Sequence, residues 1–380
     1  MSNIPRGYKL TEVGVIPENW EVKTVSEAFQ ICNNLRLPIS QKVREKMTGL
    51  YPYYGPTNIQ GYINEYRVEG EYALIGEDGD HFLKWREASM TLLVNGKFNV
   101  NNHAHLIKGV DNITSWFYYY FAHKDVTRYL TRQGAGRYKL TKRSLAKIPC
   151  VLPPTKAEQT AIAAALSNTD ALIQSMEKLI AKKQFIKQGA MQELLKPKEG
   201  WVVKKLGEVA EIIMGQSPRS EYYNLNGIGL PLIQGNADVE NRKTIKKVFT
   251  SDITKRGKCG DIIMSVRAPV GEISTAMFDC CLGRGVCAIR YQNDYLYYYL
   301  IYFEKSWSKL STGSTFDSVN SQQIKSLEIP IPPLSEQTRI ATILSDMDDE
   351  ISALETKLAK YKQVKQGMMQ ELLTGGIRLV

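Results

Sequence analysis

No two of the six cysteines stand in a C-x-x-C pair, and all four histidines fall in the first half of the 380-residue chain. A closed zinc site needs four convergent ligands at short spacings. Cys32, Cys150, Cys259, Cys280, Cys281 and Cys287 therefore read as reduced thiols, and no metal site is expected. His103 and His105 in "NNHAHL" share one strand face, but two imidazoles fall short of a site. No apolar run approaches the ~20 residues of a membrane span. The opening "MSNIPRGYKLTEVGVIPENW" carries no apolar core of a secretion signal. The expectation is a cytoplasmic protein without a membrane partner. No G-x-x-x-x-G-K-[ST] phosphate loop is present, and neither Pro-Pro follows the Asn or Asp of an adenine-methylation tetrapeptide. The acidic turn "GEDGD" (76–80) has no lysine at a spacing that would complete a nuclease cluster, so it reads as turn chemistry. No catalytic residue is expected.

The chain has a formal charge of +10 and a pI near 9.1, which favours a polyanionic partner. Its 43% hydrophobic content suits two or three ordinary cores. Basic residues concentrate in two runs. One holds Lys124, Arg128, Arg132, Arg137, Lys139, Lys142, Arg143 and Lys147 against Asp125 alone. The other runs from Arg242 to Lys258, includes Lys255 and Arg256, and is opposed only by Asp252. Such runs suit phosphate contacts.

Aligned with itself, the chain repeats. "AEQTAIAAALSNTDALI" (157–173) matches "SEQTRIATILSDMDDEI" (335–351), and "KQGAMQELL" (187–195) matches "KQGMMQELL" (365–373). Upstream, Pro153-Pro154 pairs with Pro332-Pro333, Gly134 with Gly313, and "YYY" at 118–120 with "YYY" at 297–299. Trp20 pairs with Trp201 in a further short match. Residues 30–110 and 211–290 share no such similarity. A repeated frame thus encloses two unlike inserts.

After each Pro-Pro, apolar residues step by threes and fours. Ile162, Leu166, Ile173, Met176, Ile180 and Leu194 form one stripe, interrupted by Lys183 and Lys187. Ile340, Leu344, Met347, Ile351, Leu354, Leu358 and Leu372 form the other, interrupted by Lys365. These are heptad seams, and each helix would be about 55 to 60 Å long. If the two pair antiparallel, the C-terminus returns towards the N-terminus. The predicted architecture is α+β: two domains separated by two long antiparallel coiled-coil helices, pseudo-twofold and nearly circular. The boundaries are 1–154 for domain one, 155–196 for the first helix, 197–333 for domain two, and 334–380 for the second helix and tail.

Within the inserts, "GEYALIG", "MTLLVNG", "GDIIMSV" and "GVCAIRY" read as strands, and residues 115–130 and 295–310 as helices. The "YYY" aromatics read as core because they repeat with the frame. Side chains able to reach base edges are Asn58, Gln60, Asn101 and Asn102 in insert one, and Gln216, Arg219, Gln234, Asn236, Arg267 and Arg284 in insert two. Tyr53 and Tyr54 join the DNA-binding candidates.

The arrangement resembles the specificity subunit of type I restriction-modification systems. The resemblance rests on "YKLTEVGVIPENWEV" (8–22), the two helix openings with Pro-Pro and Glu-Gln, the two "KQGxMQELL" closings and "GGIRL". It also rests on "YPYYG", "LIGEDG" and "NNHAHL" in insert one, and "GQSP", "SVRAPVG" and "GRG" in insert two. It implies two target recognition domains, each reading one half of a bipartite double-stranded DNA sequence. It implies two modification subunits carrying S-adenosylmethionine for adenine methylation, and restriction subunits using ATP and Mg²⁺, with no cofactor on this chain. Gln192, Glu193, Gln370 and Glu371, outside the seam, are candidates for docking these partners. The other readings left open are a stand-alone coiled-coil DNA-binding regulator and a single-chain nuclease or methyltransferase.

If the helices act as a ruler, removing one heptad from both shifts the spacer between half-sites and leaves each half-site unchanged. Methylation mapping checks this, and an unchanged spacer contradicts it.

Overall fold

The computed structural model describes residues 4–132, 137–309 and 318–379; Gly134, Gly313 and Leu310 lie outside that set. Contacts divide the chain into two units, Met1–Glu177 with Thr356–Val380, and Lys178–Glu355.

In the first unit the insert supplies eight strands: β1 (Phe29–Ile31), β2 (Thr48–Tyr54), β3 (Ile59–Ile63), β4 (Val68–Glu69), β5 (Tyr72–Gly76), β6 (Thr91–Val94), β7 (Lys97–Val100) and β8 (Ala104–Gly109). They form two four-stranded sheets, ordered β3-β2-β7-β4 and β1-β8-β5-β6. Only β2 and β7 run parallel. The central strand β5 is buried along its length, as its unbroken apolar run requires. Helix α1 (Thr114–Ala122) covers the second sheet. Sequence periodicity carried this helix to residue 130, but it stops at Ala122. Asp125 instead accepts hydrogen bonds from the Thr127 amide (2.9 Å) and hydroxyl (2.6 Å), a local alternative to helical bonding. A short helix α2 (Lys142–Ala146), capped by Thr141, follows.

Helix α3 (Lys156–Leu194) begins in the first unit and ends in the second. The second insert then supplies β9 (Glu211–Met214), β10 (Leu230–Ile233), β11 (Val248–Thr250), β12 (Arg256–Gly257), β13 (Ile262–Ser265), β14 (Ile273–Thr275), β15 (Cys280–Leu282) and β16 (Val286–Arg290). Its sheets contain the orders β11-β10-β15-β12 and β9-β16-β13-β14, extended at their edges by shorter strands. Within these orders one pair, β10 with β15, again runs parallel, and the short added strand Lys243–Thr244 also pairs parallel with β14. The two inserts, without recognisable sequence similarity, have the same strand order. Helix α4 (Tyr295–Phe303) matches α1 and passes directly into a 3₁₀ helix over Glu304–Lys309, so the predicted helix changes type before its expected end. The next carboxylate, Glu304, turns to Arg242 (2.8 Å) and the Ile273 amide (2.8 Å).

The repeated frame forms the same bonds in each unit. Glu21–Thr24 pairs antiparallel with Pro149–Leu152, and Val202–Lys205 pairs likewise with Glu328–Ile331. Gln159 is buried at the start of α3, where it accepts from the Ile113 amide and donates to the Pro153 carbonyl. Gln337 repeats this at the start of the last long helix, following short helix α5 (Ser321–Lys325). There it donates to the Pro332 carbonyl and accepts from Tyr291 and Asn293. That last helix, α6 (Leu334–Leu372), begins in the second unit and ends in the first.

The helices run antiparallel inside each unit. In the first, Lys365 meets Asp170 (2.5 Å) and Lys362 meets Glu177 (2.7 Å). In the second, Lys183 meets Glu350 (2.7 Å) and Lys187 meets Asp348. The lysines that interrupt the apolar stripes are therefore ion-paired across the helix pair. The "YYY" motif closes the same joint: Tyr119 donates to Asp170 (3.2 Å) and Tyr298 to Asp348 (3.0 Å).

The stripes do more than pair helices. Ile162, Leu166 and Leu372 are buried in one cluster with Trp20, Trp116 and Phe117 of the first unit. Ile340 and Leu344 enter the core of the second unit with Tyr295 and Leu300. Met176, Ile180 and Ile351 are also buried, whereas Ile173, Leu194, Met347, Leu354 and Leu358 are half-buried. Each fully buried aliphatic side chain contributes about 1.5 to 3 kcal/mol. The chain also returns on itself inside the first unit: Arg378 pairs with Glu158 (2.9 Å) and Asn19 (3.0 Å), and Tyr8 donates to the Gly375 carbonyl (3.0 Å).

Glu158 is 1% exposed at its side chain, so it depends on Arg378. Arg378→Ala is expected to destabilise the first unit by about 2 kcal/mol by leaving a buried carboxylate unpaired. Adding Glu158→Gln should restore part of that loss in urea unfolding; an equally unstable double variant contradicts the pairing argument.

Candidate nucleic-acid interfaces

Equivalent main-chain bonds build a cluster of turns in each insert. In the first unit Asn101 donates its amide to Tyr54 (3.0 Å), Glu77 to His103 (2.7 Å) and Leu140 to Glu77 (2.8 Å). In the second, Gly283 donates to Ile233 (2.8 Å), Val266 to Gly285 (2.9 Å) and Val319 to Val266 (2.9 Å). Isolated bridges join Asp78 to Lys139 and Arg267 to Ser318. Three sequence motifs of the first insert, "YPYYG", "LIGEDG" and "NNHAHL", thereby converge; in the second, "SVRAPVG" meets "GRG", and "GQSP" joins them through the Gly215 amide on Val286 (3.0 Å).

The first cluster surrounds a cleft of about 500 Å³ lined by Arg36, Glu77, Asp78, Asn102, His103, Arg137 and Lys139. Glu77 takes Arg36 (2.6 Å) and Lys139 (3.3 Å); Asp78 takes His103 (2.9 Å) and Lys139 (3.5 Å). The hydrogen bond that the Lys139 ammonium donates to Glu77 holds its pKa above the usual lysine range. A lysine does reach the "GEDGD" turn, although sequence spacing pointed to none. Together with Arg36 it neutralises these carboxylates, and no metal-competent cluster occurs among the described residues. Arg36 had no sequence signal; only folding brings it here.

Tyr53, a DNA-binding candidate, is wholly buried and donates its hydroxyl to the Leu37 carbonyl (2.7 Å), which makes it part of the core rather than of the surface. Tyr54 is half-buried with its edge to Phe98. Asn101 is also buried: it accepts from the His103 amide (2.8 Å) and donates to Gln60 (3.1 Å), which fixes the turn rather than reaching outward. Asn58, Gln60, Asn102 and Arg137 are exposed, as are Lys142 and Arg143 on α2. His103 is exposed, whereas His105 is buried, so the two do not share a surface. The His105 Nε2 donates to the Leu140 carbonyl (2.7 Å), which leaves Nδ1 to accept from Asn33 (2.8 Å).

In the second cluster Gln216 donates its amide to Leu282 (2.9 Å), and the Arg284 amide reaches the Ser217 hydroxyl (3.4 Å). A Cβ on Gly215 would lie 2.1 Å from the Gly283 carbonyl, so only glycine lets these turns touch. Gln216, Arg219, Gln234, Lys255, Arg256, Arg267 and Arg284 are exposed, and Asn236 is half-buried. Gln234 donates to Tyr223 (2.9 Å), and Arg219 faces Glu221 (3.7 Å).

The basic runs divide between surface and structure. Arg242 is committed to Glu304, Arg256 to Asp279 (2.8 Å), and Lys124 lies over the Tyr120 ring at 4.9 Å. Burial, the largest influence on it, lowers the Lys124 pKa. Five cysteines are buried and Cys259 is exposed, all as free thiols. No helix among the described residues is long and apolar enough to cross a membrane.

Paired domains of one topology on a repeated helical frame agree with a comparison against known families. The family of the type I restriction modification DNA specificity domain matches this chain twice, over residues 17–182 and 198–366, and the chain belongs to that family. A type I restriction enzyme specificity subunit of Methanocaldococcus jannaschii is 29% identical, covering 98% of this chain and 97% of the relative. One from Haemophilus influenzae is 30% identical, with 86% and 87% covered. Among solved structures, a type I restriction-modification S subunit from M. genitalium has a TM-score of 0.66 at 15% identity, with 96% and 97% covered. A chain from a structure addressing complex assembly and conformational transition of the type I R-M system has a TM-score of 0.60 at 22% identity, with 95% and 99% covered. At these identities the structural likenesses speak for the fold.

His105 sets a pH dependence. Burial, the largest influence, holds its pKa below the ordinary imidazole value, against the opposing pull of its Leu140 bond and of Glu77. The folded state thus favours neutral His105. Its contribution is full above about pH 6.5 and is lost as pH falls towards the depressed value, at up to ~1.4 kcal/mol per pH unit. Stability measured by urea unfolding should fall from pH 7.5 to 5.5, and His105→Gln should flatten that slope. Half-buried His81, also shifted down, leaves a residual slope. An unaltered slope in the variant contradicts this assignment.

Proposed function

We propose that this chain reads a bipartite double-stranded DNA target, one half-site per domain, for a type I restriction-modification complex. The observation that carries this reading is the pairing of like with unlike. Two inserts of one topology sit on repeated frame contacts, yet their convergent turns present different side chains. Identical frames suit two copies of one partner, because equivalent surfaces bind equivalent subunits. Two modification subunits would dock on the frame, with the exposed Gln192, Glu193, Gln370 and Glu371 at equivalent turns as candidate contacts.

The chain supplies recognition and no chemistry of its own in this reading. S-adenosylmethionine belongs to the modification subunits, which methylate adenine, and ATP and Mg²⁺ belong to the restriction subunits, which translocate and cut. The exposed lysines and arginines of the turn clusters would contact phosphates, and their amides and guanidinium forks would contact base edges. Domains at 1–154 and 197–333, joined through helices at 155–196 and 334–380, are the units of this reading.

Co-expression with a modification subunit is expected to give a co-purifying complex that methylates one discontinuous sequence when S-adenosylmethionine is supplied. Omitting the chain should abolish that methylation. An isolated chain that binds its target tightly and recruits no modification subunit would favour a stand-alone regulator.

A further inference from the structure

The turn joining the inner parallel strand to the second sheet has three residues in both inserts: Asn101-Asn102-His103 between β7 and β8, and Gly283-Arg284-Gly285 between β15 and β16. The same two amide bonds anchor it at each end, to Tyr54 and from Glu77 in one insert, to Ile233 and from Val266 in the other. Asn102 and Arg284 are therefore structurally equivalent, although sequence alignment does not pair them.

The other residues of each turn are committed to holding it. A Cβ on Gly285 would lie 2.0 Å from the Gln234 carbonyl, and one on Gly283 would lie 2.9 Å from the Gln234 side chain. Position 284 is thus the one place in that turn where a side chain fits. In the first insert Asn101 is buried and bonded to His103 and Gln60, and the His103 ring is bonded to Asp78. Asn102 contributes only its carbonyl, to Arg36 (3.0 Å). The side chains of Asn102 and Arg284 are exposed and make no hydrogen bond among the described residues.

A carboxamide matches the N6 and N7 edge of adenine, and a guanidinium fork matches the O6 and N7 edge of guanine. We propose that Asn102 and Arg284 occupy one shared base-reading position, Asn102 selecting adenine in one half-site and Arg284 selecting guanine in the other. This assignment rests on the bipartite reading above and adds to it the base and the residue at one position of each half.

The test is methylation mapping in cells carrying the modification subunits with wild-type chain, Asn102→Ala, Arg284→Ala or Arg284→Lys. Arg284→Ala should lower discrimination about 10- to 100-fold at a single guanine of one half-site and leave the other half unchanged. Asn102→Ala should do the same at a single adenine of the opposite half. Arg284→Lys, which keeps the charge but loses the fork, should relax the same guanine. Continued reading of the untouched half shows that each variant is folded. Unchanged half-sites in both alanine variants overturn the proposal, as does relaxation of one half-site by both. So does wild-type specificity in Arg284→Lys beside uniform loss in Arg284→Ala, which marks a phosphate contact. A wild-type chain that directs no methylation at a bipartite sequence removes the specificity reading itself.

Discussion

Asp170 and Asp348 each join three parts of a unit. Each accepts a tyrosine hydroxyl from the domain helix and a lysine ammonium from the opposing long helix. Both carboxylates stay partly exposed, so the two donors on each fix its geometry more than they offset a cost of burial. The register of the helix pair and the seat of the domain helix are consequently set by the same side chain. Because the frame uses this joint twice, the residues that form it are constrained twice. The internal repeat keeps all three partners: Tyr119, Asp170 and Lys365 in one unit recur as Tyr298, Asp348 and Lys187 in the other.

The glutamine at each helix start extends the same logic. Gln159 and Gln337 are buried, and each satisfies main-chain and side-chain groups of its own domain at the point where the helix leaves it. The neighbouring glutamates are satisfied differently: Arg378 takes Glu158, while Trp201 donates to Glu336 (3.0 Å). The frame is therefore alike at the joints and free to differ beside them. Recognition requires the opposite arrangement, with an invariant strand order and variable turns. The sheets supply the first, and in the proposed reading the turns at 101–103 and 283–285 supply the second.

What could be read from the sequence follows from the range of the interactions concerned. The long helices were legible because a heptad pattern is local, and their antiparallel direction followed from the connections. Lys183, Lys187 and Lys365 stood out as interruptions, but their partners lie more than 160 residues away in sequence. The shared topology of the inserts was hidden because strand order depends on pairings such as Asn99 with Tyr53, which no short window contains. Tyr53 itself was misplaced because "YPYYG" alternates, and a shift of one position decides between core and surface. Lys139 and Arg36 joined the acidic turn only through folding, so the sequence spacing of "GEDGD" misrepresented its surroundings.

The central claim is that DNA is read by equivalent turn clusters while the helices hold partners. Backbone amide exchange on the chain assembled with its modification subunits, with and without DNA carrying the bipartite target, addresses it directly. The account predicts DNA-dependent protection at 101–103 and 283–285 and at the adjoining turns near 77–80 and 266–271. Protection confined to the long helices, with all four turns unchanged, would contradict it.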